Sequence, residues 1–301
     1  MYNEVINIDS DFYDLKFDNG FCLFIPAKVK PSKPIYVTCV LDEYNDIFRN
    51  EVIMEAGSSA ELLVTYCTRS NKPCECYDAT EITLGEAASL KMVRLQKVNK
   101  NTCLTTATNV QQSACSQMRK HFVTIGGKKV HNDLKVEFSG KNAEHDAFGL
   151  SLTQETEQVN NEIMITHASP DCRSSQLFKH ILSDRSVGAF TGRIVVNKGA
   201  FKTTAYQRSS NIILHPKAKM NICPQLEIYA DDVKCSHGAT VGQLDAEALF
   251  YMRSRGISEI EAKKILLHAF ANEAIDTISN KSFKEKIRKK IFNPYNYEKI
   301  S

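Results

Sequence analysis

A mainly β body followed by a helical C-terminal segment is what this sequence predicts, and three observations predict it. Short β-branched or aromatic runs fill the chain up to residue 241. Small-residue turns recur among them, and after residue 241 the hydrophobic period changes from two to 3.6.

The strand candidates, in order, are "FCLFIPA", "PIYVTCVL", "EVIMEA", "ELLVTYCT", "ATEITL", "SLKMVRLQKV", "KHFVTIGG", "LKVEFSG", "GRIVVN" and "NIILHP". Each is brief, partly alternating and bounded by Gly, Asn, Pro or small residues. Strands of this kind suit a sandwich, a barrel or a β-solenoid. The turns "AGSSAEL", "LGEAASL", "SGKNAEH" and "NKGAFKT" centre on Gly57, Gly85, Gly140 and Gly199, at intervals of 28, 55 and 59 residues. One, two and two units of a common period fit a right-handed parallel β-helix, in which each coil stacks only on its neighbours.

The helical segment has three parts. "LDAEALFYMRSRG" has Asp245 as an N-cap, Ala248, Leu249 and Met252 on one stripe, and Gly256 for the terminal left-handed turn. "SEIEAKKILLHAFANEAIDTIS" opens on a Ser258–Glu261 capping box, and Ile260, Ile265, Leu266, Ala269, Phe270 and Ile275 supply its apolar face. "FKEKIRKKIF" reads as a third helix. The division expected is a β-helix core with short N-terminal strands over 1–241 and helices over 242–301.

Composition narrows the function classes. Hydrophobic residues at 43% and charged residues at 24% describe a folded chain. A formal charge of +3 is too small to point to nucleic acid, and two helices joined at a Gly without a basic stripe do not make a DNA reader. No run of about 18 apolar residues occurs, so no membrane span is expected. The acidic opening "MYNEVINIDSDFYDLKFDNG" is no signal peptide, and ten cysteines without CxxC spacing suggest free thiols in a reducing, cytoplasmic setting.

The chemistry-bearing candidates are few. "DDVKCSHGAT" places Cys235 and His237 two apart, on one face if the segment is extended. Thiolate and neutral imidazole both suit iron or zinc, but two ligands are half a site. The alternative is that both are packing residues, and i, i+2 spacing does not establish a cysteine–histidine nucleophile. Cys74 and Cys76 in "KPCECYD" read as a loop with two free thiols rather than a soft-metal site. His145 and Asp146 would face opposite ways. "TIGGKKV" reads as a hairpin turn, and no phosphate-binding GxxxxGK[ST] is present.

The run "KMNICPQLEIYADDVKCSHGATVGQLDAEALFYMRSRGI" resembles the SufB/SufD family of iron–sulfur cluster assembly proteins. "SSQLFKHILSDRSVGAFTGRIVVNKGAFKTTAYQRSSNIIL" carries the likeness further, "NGFCLFIPAKVKPSKPIYV" more loosely, and it weakens between residues 60 and 165. "CSHGAT" is nearer the SufD branch, since SufB-type chains have a carboxylate where this chain has Gly238 and more cysteines in the preceding strands. Many SufD-type chains carry a helical segment before the β-helix, whereas this sequence begins almost directly with strands.

The resemblance implies a parallel β-helix and a heterodimer with a SufB chain. A transient iron–sulfur cluster would be shared at the interface, with His237 as a metal ligand and Cys235 as a less secure one. It implies no permanently bound cofactor, no catalysis by this chain, and a SufC ATPase that binds the ATP and docks on the C-terminal helices. Phe250, Tyr251, Arg253 and Arg255 in "LFYMRSRGI" are the candidate SufC contacts, aromatics and arginines being favoured at interface hot spots. The isolated chain is expected to be able to form a homodimer. The alternatives are a homodimeric SufB-like scaffold and, from another class, a β-helix carbohydrate-active enzyme.

Overall fold

Side chains that alternate buried and exposed build strands, and here the strands come in pairs that never touch as hairpins. The computed structural model describes residues 5–7, 14–15, 20–41 and 46–292. In chain order the strands are β1 (Val5–Asn7), β2 (Asp14–Leu15), β3 (Cys22–Ile25), β4 (Ile35–Leu41), β5 (Asp46–Met54) and β6 (Ser59–Thr68). Next come β7 (Cys74–Leu84), β8 (Ser89–Lys97), β9 (Thr102–Gln112), β10 (Gln117–Ile125), β11 (Lys129–Phe138) and β12 (Glu144–Thr153). The series ends with β13 (Gln158–His167), β14 (Arg173–Leu182), β15 (Val187–Val196), β16 (Thr204–Ile213), β17 (Lys219–Ile228) and β18 (Lys234–Gly242). Three helices follow: α1 (Ala246–Ser254), α2 (Glu259–Ile275) and α3 (Lys281–Ile291).

Odd-numbered strands form one nine-stranded sheet and even-numbered strands another. Every pairing is parallel, so the chain winds as a β-solenoid whose coils each give one strand to each sheet. One interior column runs Val52, Ile82, Val110, Val136, Ile165, Ile194 and Leu226, in steps of 26 to 32 residues. That is the period the turns suggested. The corners leading from odd to even sheet repeat it too: Lys28, Gly57, Ala87, Cys115, Asn142, Asp171, Lys202 and Asp232 all have positive φ, 27 to 31 residues apart. Each of the first seven donates its N–H to a carbonyl in the next corner, as from Gly57 to Glu86 (2.8 Å) and from Cys115 to Lys141 (2.9 Å).

Gly140 serves a different need, close approach. A Cβ there would collide with the backbone nitrogen of Ala114 in the preceding corner. Gly140→Ala is expected to cost about 1–3 kcal/mol through the forced backbone shift, read as a lower urea midpoint. An unchanged midpoint would mean the corner yields freely. "TIGGKKV" is also a corner rather than the expected hairpin, because the parallel strands β10 and β11 belong to different sheets.

The two sheets differ in how they meet their surroundings. The odd sheet keeps strict alternation, as in β7, because its outer face stays open. The even sheet shows continuous buried runs, as in β10 and β14, because α2 and α3 cover its outer face. Leu63, Val93, Leu95, Val123, Leu150 and Ile181 of the sheet pack with Leu267, Ala271, Ala274, Ile275, Phe283 and Ile287 of the helices. Polar bonds fix the docking: Ser279 and Asn280 to Glu61 (2.9 and 3.0 Å), His121 Nε2 to the Thr277 hydroxyl (2.8 Å), and both Lys179 and Arg208 to Glu273.

The helix signals hold at the ends and fail on one face. Asp245, Ser258 and Asn280 cap the three helices with their side chains, and Gly256 has φ +86°. On α2 the expected stripe is only half right: Ile275 is buried and Leu266 and Phe270 are half-buried, but Ile260 and Ile265 are 57% and 48% exposed and Ala269 is exposed. The buried stripe is Ala262, Leu267, Ala271, Ala274 and Ile275, because small alanines let the helix lie close to the sheet. Cys74 and Cys76 also differ from expectation. They lie buried inside β7 rather than in a loop, and burial pushes the Cys76 thiol well up. All ten cysteines are free. No helix among the described residues is long and apolar enough to cross a membrane.

Candidate metal centre at the open end of the solenoid

Strands β17 and β18 are the last of their sheets, so each leaves one backbone edge unpaired among the described residues. Core-facing positions continue onto these strands with no further strand stacked above them among the described residues. Ile222, Pro224 and Leu226 sit in register with the buried Phe190, Gly192 and Ile194, yet they are only half-buried. Ile228, Tyr229 and Val241 are 41%, 58% and 49% exposed. A strand edge with exposed apolar residues is an invitation to pair, blunted here only by Pro224 and by the charged Lys219, Glu227 and Lys234.

Cys235 and His237 lie on β18 and share the inward face, as their spacing predicted. Cys235 stacks on Ala205 and His237 on Gln207, both buried. Their surroundings then diverge. Cys235 is half-buried against an apolar cluster of Ile194, Val196, Ala200 and Ala205, with Leu226 and Val233. Burial raises its thiol pKa, against a smaller lowering by the Ala205 backbone. A thiol held neutral is a poor ligand until a metal displaces its proton. His237 is exposed and has no hydrogen-bond partner among the described residues. Among those residues no three His, Cys, Asp or Glu side chains gather as a metal site.

What holds β18 in place is partly polar, and sequence reasoning missed it. Thr124 donates to Gln96 (2.7 Å), Gln96 to Asn132 (2.7 Å), and Asn132 to Asn161 (2.9 Å). Asn161 Nδ2 donates to His180 Nε2 (2.9 Å), which places the His180 proton on Nδ1, and Nδ1–H donates to Asn211 Oδ1 (2.6 Å). Asn211 Nδ2 then reaches the Thr240 carbonyl on β18 (2.9 Å). Below His237 the same column holds Gln207 and Gln176, joined at 3.0 Å, with Gln207 Oε1 unpartnered. The available signal was a polar residue recurring one coil apart, as in "SSQLFK" and "AYQRSS".

The other predicted site lies on α1, which buries none of its residues. Phe250 and Tyr251 are 74% and 60% exposed, and the Arg255 guanidinium sits 5.2 Å from the Tyr251 ring centre. Arg253 pairs with Glu259 at 3.4 Å. With Ile260 and Ile265 on α2, these side chains leave a large apolar surface in water. His145 and Asp146 do face opposite ways, His145 inward to Gln112 (2.7 Å) and Asp146 outward to Arg119 (3.1 Å).

Comparison with known proteins places this arrangement. Residues 42–270 match the family model for the SufBD core domain of SUF-system FeS cluster assembly. The iron–sulfur cluster assembly protein SufD of Escherichia coli is 35% identical over 171 residues, covering 57% of this chain and 40% of that protein. A SufBD family protein of Synechocystis sp. is 28% identical, covering 88% of this chain and 61% of its own. The chloroplastic protein ABCI7 of Arabidopsis thaliana is 29% identical, with 88% and 58% covered. The chain thus spans about half the length of the curated relatives it matches.

Proposed function

The chain belongs to the SufBD family of SUF-system iron–sulfur cluster assembly proteins, and on that premise we propose that it is a SufD-like, non-catalytic scaffold subunit. Its open solenoid end pairs with a SufB chain, and a nascent cluster forms where the two ends meet. The observation that carries this reading is the uncapped end itself, with two free strand edges, half-buried core residues and an exposed imidazole in line with the core. An edge so apolar needs a partner strand, and a half-site of one or two ligands needs a second chain.

In this reading His237 gives a ring nitrogen to iron, the metal being cargo rather than a resident cofactor. Cys235 is the secondary ligand, available once iron draws off the proton that burial holds on its thiol. ATP is bound by SufC, which docks on the α1 surface of Phe250, Tyr251, Arg253 and Arg255. The same open end lets isolated copies form a homodimer. The work is placed in the cytoplasm.

The test is anaerobic coexpression with SufB and SufC, comparing wild type with His237→Ala for iron and sulfide content. The expected result is an intact complex that has lost most of its cluster. Unchanged cluster content in an intact complex would remove His237 from the chemistry. For the docking surface, Phe250→Ala is expected to weaken SufC capture by about 1–2 kcal/mol, or roughly 5- to 30-fold. Capture at wild-type strength would move the contact off α1.

A further inference from the structure

We infer that the cleft at the corner leading from the even sheet to the odd sheet is a binding site for a small amine with an apolar body, its ammonium group meeting the Glu157 carboxylate. The site uses neither β18 nor α1. The cleft has a volume of about 400 Å3.

Its floor is a ladder built by the solenoid repeat. Ile125, Leu152 and Ile181 occupy equivalent positions at the ends of β10, β12 and β14, and Leu214 follows β16. Adjacent rungs lie about 4.8 Å apart, so the three in register span about 10 Å, and Leu214 extends the floor beyond them. That length suits an arylalkyl or short alkyl chain laid along the stack.

The polar end of the cleft carries Glu155 and Glu157, with Lys97 and Lys100 at its rim. Glu157 is only 7% exposed, and its Oε2 accepts from the Gln154 N–H at 2.9 Å. The other carboxyl oxygen has no hydrogen bond among the described residues. A mostly buried carboxylate with one oxygen free of hydrogen bonds calls for a ligand that brings N–H groups.

Charge selects a cation over a neutral amide. Glu155 and Asp184 add negative charge around Glu157, and burial already pushes the Glu157 carboxyl up to about 7. Lys100 opposes them but is spent on Glu155 at 3.4 Å, and Lys97 points to solvent at the rim. An ammonium ion would hold Glu157 ionised and remove the cost of burying that charge alone.

The full chain is titrated by methyl NMR with phenylbutylamine, and with phenylbutanol and phenylbutyrate as the neutral and anionic counterparts. The expected result is shifts at the Ile125, Leu152 and Ile181 methyls, with the amine binding at least about tenfold tighter than the carboxylate. Amine affinity should rise between pH 6 and 8 as Glu157 ionises. Glu157→Gln, which keeps the shape, should abolish that rise and weaken the amine about tenfold while leaving phenylbutanol unchanged. Equal affinity for amine and carboxylate, amine binding indifferent to Glu157→Gln, or shifts confined to other methyls would each overturn the assignment.

Discussion

Replacing Asp78 with alanine is expected to destabilise the chain by about 3–5 kcal/mol, enough to unfold much of it, because the change strands a buried guanidinium. Asp78 and Arg94 are both wholly buried and pair at 3.4 Å between β7 and β8. The carboxylate also accepts from Tyr66 (2.8 Å), Asn50 (2.6 Å) and Thr80 (2.8 Å). Arg94 in turn donates to Thr108 and Thr80, both at 3.3 Å, and lies 5.6 Å from the Tyr66 ring centre. Removing the carboxylate therefore orphans a cation and three donors at once, and the wholly buried Lys120 amine, whose pKa burial holds well below the usual lysine value, lies close enough to feel Arg94.

The control separates desolvation from attraction. Asp78→Leu with Arg94→Met removes both charges and refills the volume, so it is expected to fall within about 1–2 kcal/mol of wild type. Urea midpoints of the singles and the double close the cycle. A single variant costing under about 1 kcal/mol would show that water reaches the pair.

The same interior explains what could be read from the sequence. β6 and β8 were legible because Leu62, Val64, Leu90 and Met92 fill their inward positions. β9 was not, because its inward residues include Thr102, Thr106, Thr108 and Gln112, all buried polar side chains that hide the apolar alternation. The strands from β12 to β14 hid for a related reason: His145, Asn161, His167 and Gln176 are core residues here. The period showed only at glycines, since equivalent corners use Lys28, Ala87 or Cys115 in the same left-handed conformation. The stripe chosen on α2 was right at Ile275, Leu266 and Phe270 and wrong at Ile260, Ile265 and Ala269, because that helix is apolar on two sides and pattern alone cannot say which side meets the sheet.

At the candidate site, residue types and spacing pointed to Cys235 and His237 and to their common face. Three-dimensional facts then separated them. The apolar cluster around Cys235 comes from β15 and β16, about one coil away in sequence, and the exposure of His237 comes from the absence of another described coil above β18. Neither is written locally in "CSHGAT". The polar line ending at Thr240 is likewise spread over seven strands from β8 to β18.

That buried polar interior makes acid the chain's weak side, and the loss of stability between pH 8 and pH 5 is expected to be large. His121 and His145 are pushed down to about 3, and His167 and His180 to about 4, burial being the chief cause in each. An unfolded histidine titrates near 6.5, so below that pH the unfolded chain takes up protons the folded chain refuses. Their contribution is complete above about pH 6.5 and is lost as pH falls towards the folded values. At pH 5 each histidine has given up on the order of 2 kcal/mol, and the four together about 8. Glu157 acts in the opposite direction. Its carboxyl, raised to about 7, regains its proton on acidification and returns about 2.5 kcal/mol. The histidines win, leaving a net loss of roughly 5 kcal/mol, a large part of a typical domain's stability. Urea midpoints followed by circular dichroism at pH 8, 6.5 and 5 would measure it, and His145→Gln should remove about 2 kcal/mol, well over a third of the net loss. Equal midpoints at pH 8 and pH 5 would mean that these imidazoles are protonated in the folded coils, and the tautomer drawn for His180, on which the line of bonds to β18 depends, would have to be abandoned.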